Sequence, residues 1–401
     1  MQDIGLIFRT LQDIFAPNGG FKSNIPHAII MLFQYASPDT AEQEVLGKIE
    51  ELRQELGRTI APRRWSGVLR RNTFARAIRG SNSIEGYNVT MDDALAAVEG
   101  EEPMDAQSDT WAAVNGYRMA MTLILQKADD PHFAYSADFL NALQFMMTSH
   151  ELAKNPGRWR LGAIFVRDDL QEEIVYQGPE VEEVPSLMAE LITGLNAEAS
   201  SPAILKAAMG HLNLVMIHPY SDGNGRMARA LQTLILARSG DSLNPIFVSI
   251  EEYLGRNTRE YYDVLAQVGG GRWQPERDTR PWIRFCLTAH YRQAATLKRR
   301  GQVLQSLFDE IERETRRHTL PERTIASLAE AALGFRIRNA TYRKLADVSD
   351  GTATRDLKAL AEAGLLIPRG EKRGRHYMAG EPIRQIMGRV GKPGKVADPF
   401  A

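Results

Sequence analysis

Residues 203–238 read AILKAAMGHLNLVMIHPYSDGNGRMARALQTLILAR. Two apolar helical runs flank a polar turn, and that arrangement decides the fold class. Ala203–Ile217 is interrupted only by Lys206, His211 and Asn213, and it is too short to cross a bilayer. Pro219, Gly223 and Gly225 break the first helix, since proline lacks the N–H and glycine favours turns. Arg226–Arg238 resumes as helix, with Gly240 as its expected stop.

The turn concentrates chemistry. Its glycines let the backbone approach a ligand, and it feeds a helix N-terminus, where free N–H groups and the helix dipole attract an anion. Asn224 offers an amide donor. Arg226 and Arg229 are three apart, which predicts one shared helix face suited to a polyphosphate. Asp222 is a hard oxygen ligand of the kind Mg²⁺ takes beside phosphates. His218 can accept a proton near neutral pH. A base, an anion cradle, a metal carboxylate and cations are the parts of phosphoryl-type transfer. The bland alternative is a glycine-rich turn with surface arginines. Six polar roles in twelve residues weigh against it.

Working outward, apolar residues recur at three and four spacing, so the chain reads as mostly α. In Ala41–Leu56, Val45, Ile49, Leu52 and Leu56 form one stripe of a packed amphipathic helix. The runs Ala163–Val166 and Glu173–Tyr176 predict a β-hairpin with a long loop, closed by Gly178-Pro179. Val184–Asn196 returns to helix. The 401 residues carry a net charge of -1, which argues against polyanion binding by the molecule as a whole. Cys286 is the one cysteine, so no intrachain disulfide forms. No membrane span or signal peptide is legible, and a cytoplasmic location is expected. His150 and His211 read as structural histidines. With no H-E-x-x-H arrangement and a single cysteine, zinc is not expected.

The segment His218–Arg229 resembles the Fic family signature, H-P-F-x-[D/E]-G-N-G-R-x-x-R, with Tyr220 in place of Phe. Gly157-Arg158-Trp159-Arg160, Pro185 and the pair Tyr261-Tyr262 extend the resemblance over roughly Ser81–His290. Where many members carry Glu three residues before the histidine, this chain has Val215. The resemblance implies a protein AMP transferase using Mg²⁺ and ATP. It makes His218 the general base and gives Asp222 the Mg²⁺. Backbone N–H groups around Gly223–Gly225, with Asn224, would grip the α- and β-phosphates. Arg226 would stay near the phosphates and Arg229 would meet the γ-phosphate. The hairpin, at Ile164, Phe165, Val166 and Arg167, would clamp the target peptide as an added strand, and Tyr261 and Tyr262 would line the adenine side. Ordinary core tyrosines are the alternative for that pair.

Ser81-Asn82-Ser83-Ile84-Glu85-Gly86 resembles the family's inhibitory motif, [S/T]-x-x-x-E-[G/N]. It implies a bidentate Glu85–Arg229 ion pair occupying the γ-phosphate position. A solvated Glu at a helix end is the plain alternative.

The last part differs in charge. From Leu320 to Ala401 there are 15 Lys and Arg against 9 Asp and Glu, a net of +6, leaving -7 for the rest. Thr341–Leu366 reads as two helices with an apolar face from Leu345, Leu357, Leu360, Leu365 and Leu366. The turn carries Ser349, Asp350 and Gly351, and Thr352 is the expected cap. Ile367 and Tyr377 then flank a basic loop. This resembles a winged helix-turn-helix. Thr354, Arg355 and Lys358 would face outward on the second helix, and Arg369, Lys372, Arg373 and Arg375 would lie on the wing. DNA binding and protein docking are both open.

The expected organisation is 1–105, an N-terminal helical region with the inhibitory motif; 106–295, the catalytic core; 296–320, a linker helix separating two modules; 321–385, the winged helix; and 386–401, a frayed tail. The expected function is an autoinhibited adenylyltransferase acting on a protein hydroxyl, including its own, with a homodimer as a possible assembly. Alternatives are removal of AMP at the same site with Glu85 positioning water, transfer of another phosphate-linked group, and a DNA-binding regulator whose core senses nucleotide.

Overall fold

The computed structural model describes residues 32–59, 64–168, 173–197, 201–239, 245–391, 394 and 396–400. Helices account for most of the described residues. The first five are α1 (Thr40–Thr59), α2 (Ser66–Ile84), α3 (Met91–Glu99), α4 (Ser108–Lys127) and α5 (Ala137–Thr148). An antiparallel hairpin follows, β1 (Phe165–Asp168) with β2 (Glu173–Gln177). Next come α6 (Val184–Asn196), α7 (Ala203–Ile217), α8 (Asn224–Ala237), α9 (Glu251–Arg256), α10 (Thr258–Gly269) and α11 (Arg280–Arg317). The C-terminal part is α12 (Ile325–Ala332), α13 (Asn339–Ala346), α14 (Asp350–Glu362), β3 (Leu366–Arg369), β4 (His376–Ala379) and α15 (Glu381–Val390).

The apolar stripes find their partners. Val45, Ile49 and Leu56 of α1 are buried against α11, each contributing about 1.5–3 kcal/mol of hydrophobic transfer energy. Helix α7 packs on α8, which brings the two halves of the opening stretch together. Gly240, the expected stop, lies outside the described residues.

Helix α2 is central rather than peripheral, with Leu69, Phe74, Ile78 and Ile84 all buried. It crosses α9 backbone to backbone: a Cβ on Gly255 would stand 2.6 Å from the Gly80 Cα. Glu252 at the start of α9 draws in Arg300 of α11 at 2.6 Å and Arg256 at 2.7 Å, with Arg76 of α2 at 3.8 Å. The helix that ends at Glu85 is therefore fixed on several sides.

Three expectations change. The 296–320 linker belongs to one 38-residue helix that begins inside the core at Arg280. It does not hold the C-terminal module apart. Arg336 bonds Asp92 and Asp105, Arg338 bonds Glu101, and Arg71 of α2 pairs with Glu330 of α12. The 386–401 tail is helical to Val390, and Asp398 then pairs with Arg292 at 3.0 Å while Phe400 lies under the Arg284 guanidinium. Charge on α11 holds what composition alone suggested would fray. The cap of α14 is Ser349, whose hydroxyl accepts from the Thr352 N–H; Asp350 and Gly351 are already helical.

In the C-terminal part, β3 pairs antiparallel with β4, and Ile337 bridges Tyr377 to add a third extended segment on the other side of β4. Thr354, Arg355 and Lys358 are exposed on α14, and Arg369, Lys372 and Arg375 are exposed on and between the strands. The Arg373 side chain lies outside the described residues.

Candidate active site

The His218–Arg229 segment forms the corner between α7 and α8. Helix α7 ends on His218, whose left-handed backbone (φ 52°) turns the chain out of the helix. Such conformations in non-glycine residues cost of order 1–3 kcal/mol and concentrate at functional sites. The imidazole Nδ1 lies 3.0 Å from the Val215 carbonyl oxygen. A carbonyl only accepts, so Nδ1 carries the proton and Nε2 is left as the free acceptor. The contact comes from the backbone, so Val in place of Glu at position 215 does not affect it. Burial holds the His218 pKa below its ordinary value, outweighing the Glu85 and Asp222 carboxylates.

The loop is held from within. Asn224 accepts from the Tyr220 N–H at 2.9 Å and donates to the Tyr220 carbonyl at 2.8 Å. One N–H of its side-chain amide is thereby committed to the loop, and the amide carries a second donor. The Tyr220 hydroxyl, the one addition relative to the family's Phe, donates to Asn141 Oδ1 at 3.1 Å. Asp222 Oδ1 accepts from the Gly223 N–H at 2.7 Å. Its Oδ2 stands 3.7 Å from Arg226 Nη2, and the side chain is partly exposed. Gly223 (φ 80°) starts α8, whose first-turn N–H groups have no intrahelical partner.

Arg226 and Arg229 are both buried and diverge. Arg226 donates to the Met147 carbonyl at 3.1 Å and lies over the Tyr87 ring. Arg229 turns to α2, where Nε donates to Ser81 Oγ at 2.8 Å and Nη2 to the Ser81 carbonyl at 3.0 Å. Nη2 also meets Glu85 Oε1 at 2.6 Å. The pair is thus single-contact rather than bidentate: Ser81 takes the Nε–Nη2 edge, Glu85 shares Nη2, and Nη1 has no hydrogen-bond partner among the described residues. Burial alone would raise the Glu85 pKa, but Arg229 and Arg226 outweigh it and hold the carboxyl below its ordinary range. A Cβ on Gly225 would lie 2.5 Å from Glu85 Oε1, so the carboxylate sits directly on the first turn of α8.

The hairpin stands beside this corner. Ile164 precedes β1 and its carbonyl accepts from Gly178 N–H; Phe165 is exposed and Val166 half-buried. The Arg167 side chain lies outside the described residues. Tyr261 is buried and its hydroxyl lies 2.9 Å from His211 Nε2. Its ring packs in the core beside Trp282 and Phe285. Tyr262 is 46% exposed, with its hydroxyl 3.4 Å from the Ile84 carbonyl, next to Glu85. His211 bonds Gln232 through Nδ1 at 2.6 Å, a structural role.

Two residues outside the motif carry much of this geometry. Arg160 is buried, and its backbone N–H donates to the Pro219 carbonyl at 2.8 Å. Its guanidinium donates to the carbonyls of His218 (3.0 Å), Gly162 (2.7 Å) and Pro179 (2.6 Å). One cation thereby ties the histidine corner to the base of the hairpin. Gln144 of α5 bonds the Gly157 N–H and the Asp222 carbonyl. Arg160 was visible in sequence only as part of a resembling run. Gln144 had no signal beyond being polar in an apolar helix.

Residues 135–236 match the sequence profile of the Fic/DOC family. The fold is that of Fic proteins: a Fic family protein from Desulfovibrio desulfuricans G20 aligns with a TM-score of 0.55 at 21% identity, covering 86% of this chain and 98% of that one. A Fic-domain-containing signaling protein from Bacteroides thetaiotaomicron aligns at 0.51 and 20% identity, covering 65% of this chain and 97% of its own. Among curated proteins, a protein adenylyltransferase Fic from Nematostella vectensis is 28% identical over 250 residues, 61% of this chain and 53% of that protein. Another, from Culex quinquefasciatus, is 26% identical over 218 residues, 54% and 40% respectively. The matched part thus spans about half the length of these relatives or less.

Among the described residues, no helix is long and apolar enough to cross a membrane.

Proposed function

We propose that the chain is a protein adenylyltransferase that moves AMP from ATP to a hydroxyl on a protein, and that Glu85 restrains it. The observation that carries the reading is the His218 tautomer: Nδ1 is tied to the Val215 carbonyl, and Nε2 is left free beside an anion-binding helix start. The similarity to protein adenylyltransferases from Nematostella vectensis and Culex quinquefasciatus supports it.

In this reading His218 Nε2 takes the proton of the target hydroxyl. The hydroxyl oxygen attacks the α-phosphorus, the bond to the bridging oxygen breaks, and pyrophosphate leaves. The first turn of α8 and Arg226 neutralise phosphate charge. Asp222 fits a Mg²⁺ ligand, since its Oδ1 is oriented by the Gly223 N–H while Oδ2 has no donor within hydrogen-bond distance among the described residues. Bound there with the phosphates, Mg²⁺ would supply charge neutralisation. The hairpin offers β1 as an edge for an extended target segment, with exposed Leu161, Phe165 and Ile174 nearby.

The restraint is a competition for Arg229. While Glu85 holds Nη2, the γ-phosphate lacks its cation and ATP sits unproductively. Helix α2 is fixed by its neighbours, so release occurs through the Glu85 side chain or the last turn of α2. The C-terminal helices α12–α14, with Ile337, β4 and β3, are read as a winged helix.

The test is incubation with ATP labelled at the α- or the γ-phosphate, in parallel. Protein-bound label from the α-position alone supports AMP transfer. Label from the γ-position would instead mean a kinase-type reaction.

A further inference from the structure

The C-terminal module presents a cleft of about 500 Å³ between Asn339 at the start of α13, Thr354 on α14, and Lys372 and Arg375 at the strand turn. Among the described residues no carboxylate is within ion-pair distance of Lys372 or Arg375. The opposite wall is not part of the module: it is Glu101 and Glu102, from the segment after α3.

That acidic segment grips the module through its basic residues. Arg338 donates to Glu101 Oε2 at 2.5 Å and to the Glu102 carbonyl at 2.8 Å. Arg336 bonds Asp92 through its backbone N–H (2.8 Å) and Nε (2.9 Å), and bonds Asp105. Lys344 donates to the Glu99 carbonyl and stands 3.8 Å from Glu101 Oε1. In a winged helix, the start of the second helix, the third helix and the wing together form the face that meets a nucleic-acid backbone. Here carboxylates stand against that face, where phosphates would.

We propose that the segment Glu99–Asp105 is an intramolecular stand-in for the phosphate backbone of a nucleic acid duplex, and that a duplex competes with it for this cleft. The proposal rests on the winged-helix reading and is independent of AMP transfer. The charge asymmetry favours this occupant: the module carries the positive charge, and the segment supplies the matching negative charge. Displacing the segment also takes Glu99 away from Arg71, 3.3 Å apart, on the helix that ends at Glu85.

The experiment is fluorescence anisotropy of the full chain with a short labelled duplex at two salt concentrations. The wild type is compared with Glu102→Lys, which changes an exposed side chain whose bond to the module is through its carbonyl, and with Glu101→Gln/Glu102→Gln. Both variants are expected to bind about tenfold more tightly than wild type, equivalent to about 1.4 kcal/mol. Adding Lys372→Ala and Arg375→Ala should remove that gain and flatten the log–log salt slope by roughly one unit per lost contact. Equal affinity of wild type and both variants would overturn the competition. No salt-dependent binding by any of them would overturn the nucleic-acid face, and an acidic polypeptide that displaces the duplex at equal charge would assign the cleft to protein. Transfer assays on the same preparations report the AMP-transfer reading separately.

Discussion

Glu85 Oε1 lies 2.6 Å from Arg229 Nη2 and 2.5 Å from the point a Cβ on Gly225 would occupy. A carboxylate from α2 thus fills the space above the first turn of α8, the place in the corner best suited to an anion. If that contact restrains transfer, Glu85→Gly should raise automodification from α-labelled ATP. Arg229→Ala should not, because it removes the ion pair and also the cation for the γ-phosphate. Equal activation of both variants would sink the competition.

His218 should be needed for transfer and not for nucleotide binding. His218→Ala is expected to lower the rate by about 10²–10⁴-fold, the usual cost of losing a general base, with ATP affinity largely kept. The pH profile follows from the depressed pKa. The base must be neutral, so the rate should rise with pH through a value below the ordinary 6.5 of histidine and be level by neutral pH. A profile still rising above pH 7 would point to a different group.

Much of the site was legible because its chemistry is local. Helix α7 spans Ala203–Ile217 as periodicity puts it, while α8 begins at Asn224, two residues before the expected Arg226, because Gly223 caps it and Gly225 is already helical. Glu85 and Arg229 are far apart in sequence, and their meeting was read only through resemblance. What sequence could not supply were the long-range polar ties. Neither Arg160, which binds the carbonyls of Gly162, Pro179, His218 and Pro219, nor Gln144 has a pattern that names its partners. The docking of Arg336 and Arg338 on the acidic segment was hidden for the same reason: charge counts give the sign of each region and not its contacts.

Asn224 and Tyr220 test whether the loop is held as described. Asn224→Ala removes both bonds to the Tyr220 backbone in a buried site and should destabilise the chain by about 1–3 kcal/mol, with loss of transfer. Tyr220→Phe removes one hydroxyl bond to Asn141 and restores the family residue. It should cost about 1 kcal/mol or less and leave transfer intact. Thermal unfolding and a transfer assay on both variants decide it.

Glu251 should show in the pH dependence of stability. It is fully buried, its Oε1 bonded to Thr233 Oγ1 at 3.1 Å, and burial pushes its pKa from 4.5 up to about 7. The folded state then binds the proton more tightly than the unfolded state, so this group's contribution to stability falls as pH rises from 4.5 to about 7 and is level above that. The full shift corresponds to roughly 3 kcal/mol. Glu251→Gln should lose this dependence, so that the difference in Tm between variant and wild type moves in the variant's favour between pH 5 and pH 7. A constant difference across that range would mean that Glu251 is ionised throughout.

The central claim is AMP transfer by His218 under restraint by Glu85. Its most direct measurement is automodification from α-labelled ATP by wild type, Glu85→Gly, and Glu85→Gly with His218→Ala, with pyrophosphate release followed in parallel. Low label on wild type, high label on the single variant with one pyrophosphate per transfer, and none on the double variant is the predicted pattern. Equal label on the single and double variants would contradict it, since transfer would then proceed without the histidine.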